Sequence, residues 1–306
     1  MIPLIIGISI VSYAIIILAP GDPAKLLADP EKMTAESYAA MRAELGLDDP
    51  GPVRYAKTMA SLFTGDLRSF RTQQRVVDVI GERLPTTLAL GALAIVFGLV
   101  LGTVIGAVQA IKPYSRLDDL GTVLSLTGFS LPHFWFALML VMLFGVRLHW
   151  LPSSGIRPVT SNTWNPIEMA PYLVMPTIVL GTGLLAYVAR FMRSSMLEAL
   201  SQDYVRTARS KGLREQVVVL RHVLRNSLLP VITIAGFLLP LLIGGAVVVE
   251  YVFALPGVGR LAVDSVFARD YPVILTITMF SGITVMLGNL LADVLYAVAD
   301  PRIRYG

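Results

Sequence analysis

The chain has 306 residues, of which 55% are apolar and only 15% charged, with a formal net charge of +4 and no cysteine. Soluble domains carry about 25% charged residues, so this composition cannot cover a large water-facing surface and suits a protein of several membrane spans. The missing cysteine excludes a disulfide framework, a thiolate zinc site and a cysteine nucleophile.

Ile2 to Ala19 is apolar apart from Ser9, Ser12 and Tyr13. No basic residue precedes it and Ala-Pro-Gly-Asp-Pro follows, which suits a first transmembrane helix (residues 1–19) better than a signal peptide. Residues 20–84 are expected to form an external loop with short amphipathic helices. Pro20-Gly21-Asp22-Pro23 breaks the chain on leaving the membrane. Thr34 can cap a helix that ends at Gly46, Pro52 can open a second that closes at Gly65, and Val76 to Leu84 reads as a third.

The remaining residues, 85–306, read as five further spans. The second runs from Thr86 to about Ile111, with Gly98, Gly102 and Gly106 on one face, a helix-packing pattern. The third, about Gly121 to Gly145, is interrupted at Ser130-Leu-Pro132-His-Phe-Trp. Such a break suits either a pore lining or a plain proline kink. The fourth is Tyr172 to Phe191, with Gly181-Thr-Gly183 inside it. The fifth is Leu229 to Val249, with Pro240 and Gly244-Gly245, and the sixth runs from about Pro272 to Val298. Trp150 and Trp164 are expected to anchor the outer connection between the third and fourth spans. The fold class is therefore an all-α integral membrane protein of six transmembrane helices. Lys112, Arg116, Arg190, Arg193, Arg206, Arg209, Lys211, Arg214, Arg221 and Arg225 then share one side with both termini, and that side is expected to be the cytoplasm.

The three histidines are scattered, with no partner at metal-ligand spacing, and there is no phosphate-binding Gly-x-x-x-x-Gly-Lys-Ser/Thr loop. Ser130 and His133 lie three apart on a broken helix, a poor basis for a serine protease. A secondary carrier would bury ionisable groups for ion coupling. The candidates are Glu250 and Asp293, both near span ends and expected to be ordinary interfacial charges. Asp293 is expected either to pair with Arg190, Arg193 or Arg225 or to turn towards headgroup water.

The stretch from Ser201 to Pro230 is polar and basic between apolar segments. Asp203 stands at a helix start, where its charge suits the dipole, and Gly212 stands where a left-handed cap would end that helix. Leu213, Val217, Leu220 and Leu224 are expected to form the apolar face of a second helix, with Arg214, Arg221 and Arg225 opposite. The loop 193–228 thus carries a short basic helix into the cytoplasm.

Tyr204-Val-Arg-Thr-Ala-Arg-Ser-Lys-Gly212-Leu, followed by Arg221-His-Val-Leu-Arg-Asn-Ser-Leu-Leu-Pro230, resembles the cytoplasmic signature of ABC importer permeases, in the form carried by the dipeptide, oligopeptide and nickel family. Leu18-Ala-Pro-Gly-Asp-Pro23, Gly65-Asp-Leu67, Glu82-Arg-Leu-Pro85, Ser130-Leu-Pro-His-Phe-Trp135, Trp150-Leu-Pro-Ser-Ser-Gly155, Pro256-Gly-Val-Gly259, Arg269-Asp-Tyr-Pro272 and Asp300-Pro-Arg302 are similar to the same family in the same order. The B-type, or first, permease subunit of oligopeptide systems is the nearest likeness. The general signature has Glu-Ala-Ala, three residues, then Gly; here Arg206 and Thr207 replace the first two, and Ala208 is kept.

The resemblance implies a type I importer permease working by alternating access with a second permease subunit, two cytoplasmic ABC ATPases and an external substrate-binding protein. It implies no enzyme activity and no cofactor in this chain, ATP and magnesium being held by the ATPases. Asp203, Tyr204, Arg206, Ala208, Arg209, Lys211 and Gly212 would couple to an ATPase, with Ala208 and Gly212 letting the helix sit close against it. Ser130, Pro132, Gly181, Gly183, Gly244 and Gly245 are the candidates for the translocation path. A secondary carrier or passive pore of another fold, and a membrane anchor for a soluble complex, are the alternatives.

Overall fold

A computed structural model of the chain describes residues 2–18, 22, 24–25, 34–158, 165–238 and 246–299, with backbone alone at 2, 229, 233, 235–237 and 291–299. In chain order the helices are α1 (Ile2–Leu18), α2 (Ala35–Glu44), α3 (Gly51–Thr64), α4 (Val76–Ile111), α5 (Arg116–Ser130), α6 (His133–Leu140) and α7 (Pro166–Leu200). They continue with α8 (Asp203–Ser210), α9 (Leu224–Phe237), α10 (Val247–Val252), α11 (Val258–Ala268) and α12 (Tyr271–Ala299). Two wide π turns extend this set: Val141–Arg147 prolongs α6, and Val218–Val223 leads into α9 from a short turn at Glu215–Val217. The described residues form no named strand.

Two compact units divide the chain: residues 1–87 with 256–286, and residues 88–255 with 287–306. In the first, Thr34 caps α2 by accepting a hydrogen bond from the Ser37 N–H, and Gly46, at φ 66°, ends it. Gly65, at φ 79°, ends α3 in the same way. Tyr13 and Ile16 of α1, Met59 of α3, and Leu275 and Met279 of α12 form one buried cluster. Val76, Ile80, Val258, Val273 and Ile277 form another.

Asp270, 4% exposed, fastens the loop after α3. Its carboxylate accepts from Ser69 Oγ (2.5 Å) and from the Phe70 N–H (3.0 Å). Thr87 Oγ1 accepts the Val258 N–H at 2.8 Å, satisfying one of the open donors at the start of α11.

The helix expected at Val76 to Leu84 is not separate. It is the first part of a 36-residue α4 that passes through Pro85 without a break. Proline removes one ladder bond, a smaller perturbation than the burial that keeps Val76, Ile80 and Leu90 inward.

In the second unit, α4 lies along α7 through its glycines. A Cβ on Gly98 would stand 2.6 Å from Leu184 Cγ, and one on Gly102 would stand 2.8 Å from the Leu185 carbonyl oxygen. Gly106 meets Ala189 and Met192 as closely. The glycine stripe is therefore a packing surface, as its spacing predicts.

By length and composition α4, α7 and residues 271–290 of α12 can each cross a membrane. α5 and the prolonged α6 meet at a 105° bend, and they make a fourth span if the pair counts as one. α1 is apolar but shorter. The expected fifth span falls partly on residues 239–245, outside the described residues, so three or four of the six expected spans meet these criteria there.

Candidate coupling surface

α8 starts at Asp203 and ends in a tight reversal. The Gly212 N–H donates to the Arg209 carbonyl (2.9 Å) and the Leu213 N–H to that of Ala208 (3.4 Å), with Gly212 at φ 75°. This paired pattern caps a helix C-terminus and needs a left-handed residue at Gly212. A Cβ there would meet nothing within 4 Å, so the requirement for glycine lies in the backbone angle and not in space.

One side of α8 is locked into its own chain. Val205 (0% exposed) and Ala208 (6%) join Ala110 of α4, Leu184, Val188, Met192 and Met196 of α7, and Val218, Val219 and Val223 of the π turn in one buried cluster. Ala208 therefore serves packing within this chain, not the outward face expected of it. The small side chain lets α8 lie close on its neighbours.

The opposite side is exposed and carries Asp203, Tyr204, Arg206, Arg209, Lys211 and Gly212. Arg209 holds Glu215 across the turn through two hydrogen bonds, Nη2 to Oε1 at 2.6 Å and Nε to Oε2 at 3.1 Å. The bonded Arg209 guanidinium keeps the Glu215 carboxyl below its ordinary range, and the pair raises Arg209. Arg206 lies 3.5 Å from Asp203 within α8.

The helix after this turn differs from the sequence expectation. Val218, Val219, Val223 and Ser227 face inward, while Leu213, Val217 and Leu220 are exposed. The cause is the π turn, where the Leu224 N–H bonds to the Val219 carbonyl five residues back. The extra residue shifts the inward register away from the leucines.

A second polar centre lies where α7 approaches the α4–α5 turn. Arg193 grips Asp118 with both arms, Nε to Oδ1 and Nη2 to Oδ2, each at 2.7 Å. Asp118 is 2% exposed. Its Oδ2 also accepts the Tyr114 N–H at 2.9 Å, and Gln109 Nε2 donates to its carbonyl oxygen at 3.1 Å. Arg193 was one of three expected partners for Asp293; it belongs to Asp118 instead. The Asp293 side chain lies outside the described residues. The signal for Asp118 was Ser115-x-x-Asp118, a helix-start pattern, with Ser115 as the cap of α5.

The expected path residues divide. Ser130 and Pro132 are exposed at the α5–α6 bend. Gly183 faces His133, whose Nε2 would stand 3.6 Å from an added Cβ. Gly181 is buried where α7 meets α4, with a Cβ there 2.7 Å from the Phe97 ring and 3.0 Å from the Ala94 carbonyl oxygen. It is a contact residue between the two helices. Gly244 and Gly245 lie outside the described residues. Glu250, expected as an interfacial charge, is wholly buried between Val249 and Phe253 of the neighbouring core. Among the described residues no three His, Asp or Glu side chains gather as a metal site.

The model of the family described as binding-protein-dependent transport system inner membrane component matches residues 94–305, and the model of its N-terminal part matches residues 1–91. The chain belongs to this family. It is 43% identical over 306 residues to the oligopeptide transport system permease protein AppB of Bacillus subtilis (strain 168), covering 99% of this chain and 96% of that one. It is 37% identical over 327 residues to the dipeptide transport system permease protein DppB of Escherichia coli (strain K12), covering 99% and 96%. Among solved structures, an inward-facing MetNI methionine ABC transporter chain matches with a TM-score of 0.58 at 18% identity, over 72% of this chain and 96% of that one. That likeness fixes the fold as the type I importer permease kind.

Proposed function

We propose that this chain is the transmembrane permease subunit of an ATP-driven importer of peptides, and that α8 is its contact with a cytoplasmic ATPase. The observation that carries this is the two-sidedness of α8. Val205 and Ala208 root it in the cluster that contains α7, so α8 cannot tilt without moving a span. Tyr204, Arg206, Arg209 and Lys211 remain outside, a compact basic face that suits an acidic groove on a soluble partner. Peptide cargo is supported by relatives named for oligopeptide and dipeptide transport.

On this reading a second, related permease subunit encloses the path with this one, and an external binding protein delivers the ligand. The two ATPases bind ATP and magnesium. Nothing in the chain acts as acid, base or nucleophile; its work is a change of shape that exposes the path to one side and then the other. The basic turns and both termini face the cytoplasm.

The test is a single cysteine at Arg206 in the assembled transporter. It should cross-link to an ATPase subunit, and Arg206→Glu should weaken ATPase co-purification and peptide uptake together. ATP-independent uptake with no ATPase captured would favour a secondary carrier and overturn the proposal.

A further inference from the structure

The Asp118–Arg193 pair stands apart from the surface charges. Asp118 is buried and Arg193 half-buried, the contact is bidentate, and it joins segments 75 residues apart. Its position on both helices gives it a mechanical meaning. Arg193 lies seven residues before the end of α7, about 10 Å at roughly 1.5 Å per residue. Only Ser201 and Gln202 separate α7 from α8, and both are held by backbone bonds to Glu198 and Ala199. α8 is thus a rigid extension of the α7 end.

Asp118 lies in the first turn of α5, whose other end, Ser130, forms the 105° bend with α6. Between them α5 lies along α7. A Cβ on Gly128 would stand 2.8 Å from Thr182 Cγ2 of α7, and one on Gly121 would stand 2.7 Å from Gln109 Nε2 of α4. Where α5 meets α7 at Gly128, no side chain of α5 interlocks, which leaves the two helices free to slide there. A forked guanidinium–carboxylate pair does not slide, because both bonds are lost together. Fixing register is also the best-attested use of a polar or ionic group held in a core, as Asp118 is.

We propose that Asp118 and Arg193 are positioning residues that lock α5 to α7, so that displacement of α8 reaches the Ser130–Pro132 bend. The Tyr114 N–H holds the carboxylate and Gln109 Nε2 holds the backbone carbonyl of Asp118, so the lock includes the α4–α5 turn. The inference rests on the reading of α8 as the ATPase contact, and its test separates the two.

The experiment uses the complete transporter in liposomes, measuring peptide taken up per ATP hydrolysed. Asp118→Asn and Arg193→Gln should each lower that ratio at least tenfold while ATP hydrolysis continues. The double exchange Asp118→Arg with Arg193→Asp should recover part of it. Single variants with the wild-type ratio would overturn the proposal.

A second measurement guards against variants that fail to assemble. Spin labels at Thr207 on α8 and Leu126 on α5, both exposed, are placed in the otherwise unaltered chain. Their separation should stay constant through the ATP cycle while the distance from Thr207 to a label on the ATPase is also held. A change of several ångströms between α5 and α8 overturns the lock. A constant α5–α8 distance with no ATPase contact at Thr207 supports the lock and removes only the coupling reading.

Discussion

At the scale of single residues, Gly212 and Glu215 set the shape of the surface offered by α8. Gly212 stands in open space at φ 75°, so its replacement is strained only through the backbone. Asn, which adopts this region more readily than other side chains, should cost less than Val, for which about 1–2 kcal/mol is the usual left-handed penalty before any β-branched excess. Gly212→Val should therefore reduce ATPase co-purification and uptake severely, while Gly212→Asn retains most of both. Equal loss in the two would show that space at the partner, not backbone angle, demands glycine. The Arg209–Glu215 pair is half-exposed, so screening makes it a weak contributor to stability. Its sign is still definite. The folded-state carboxyl lies below its ordinary value of 4.5, so the contribution is complete above that value and is lost as pH falls through the depressed one. The pair's small contribution to the α8 turn should thus hold down to pH 4.5 and fall below it, and Glu215→Gln should remove that part of the acid loss when thermal unfolding of the purified subunit is followed against pH.

At the scale of elements, the α4–α7 contact is graded by what each glycine meets. A Cβ at Gly102 runs into a backbone oxygen, whereas one at Gly98 runs into a leucine side chain that can rotate. Gly102→Ala should destabilise by about 1–3 kcal/mol, the usual cost of overpacking, and Gly98→Ala by clearly less. Thermal unfolding of the purified subunit in detergent reads the difference, and a larger loss at Gly98 would contradict the packing described. This stripe was legible from the sequence because a spacing of four is a property of the helix itself. So were α2 and α3, since Thr34, Gly46 and Gly65 each carry a local reason to start or stop a helix. Three features were not legible. Pro85 looked like a boundary, but burial on both sides of it keeps α4 whole. The leucines at 213, 217, 220 and 224 fit a 3.6-residue period that a π turn then breaks. Asp118 finds Arg193 across 75 residues, a distance no local pattern encodes.

At the scale of the whole molecule, charge is expected to decide orientation. Tyr114 in the α4–α5 turn, Thr207 on α8 and Arg71 in the loop after α3 are all exposed. Because the chain has no cysteine of its own, a single one at each reports sidedness without background. In inside-out vesicles, a membrane-impermeant maleimide should label positions 114 and 207 and spare 71; intact cells should give the reverse. Labelling of 71 together with 207 from one side would refute the orientation. The composition foretold membrane residence at this scale, and the ordered motifs foretold the family. The α5–α6 bend was foreseen at Pro132, though not its size, because a proline marks where a helix turns and neighbouring packing decides how far.

The wide turn at Val218–Val223 bears on the history of the chain as well as on its shape. A π turn holds one residue more than the α-turn it replaces, so it is what remains when a helix absorbs an inserted residue without being thrown out of phase beyond it. Leu220, exposed and outside the buried valine set, is the residue the turn can spare. Removing it would bring Val218 and Val223 four apart and still on one face, leaving the rest of α9 aligned as before. A chain lacking Leu220 should thus reach the membrane and keep α8 in place, as judged by unchanged cross-linking from Arg206. Removing the buried Val219 should not be tolerated. A residue gained or lost at this turn would then change the length of the chain without moving α8.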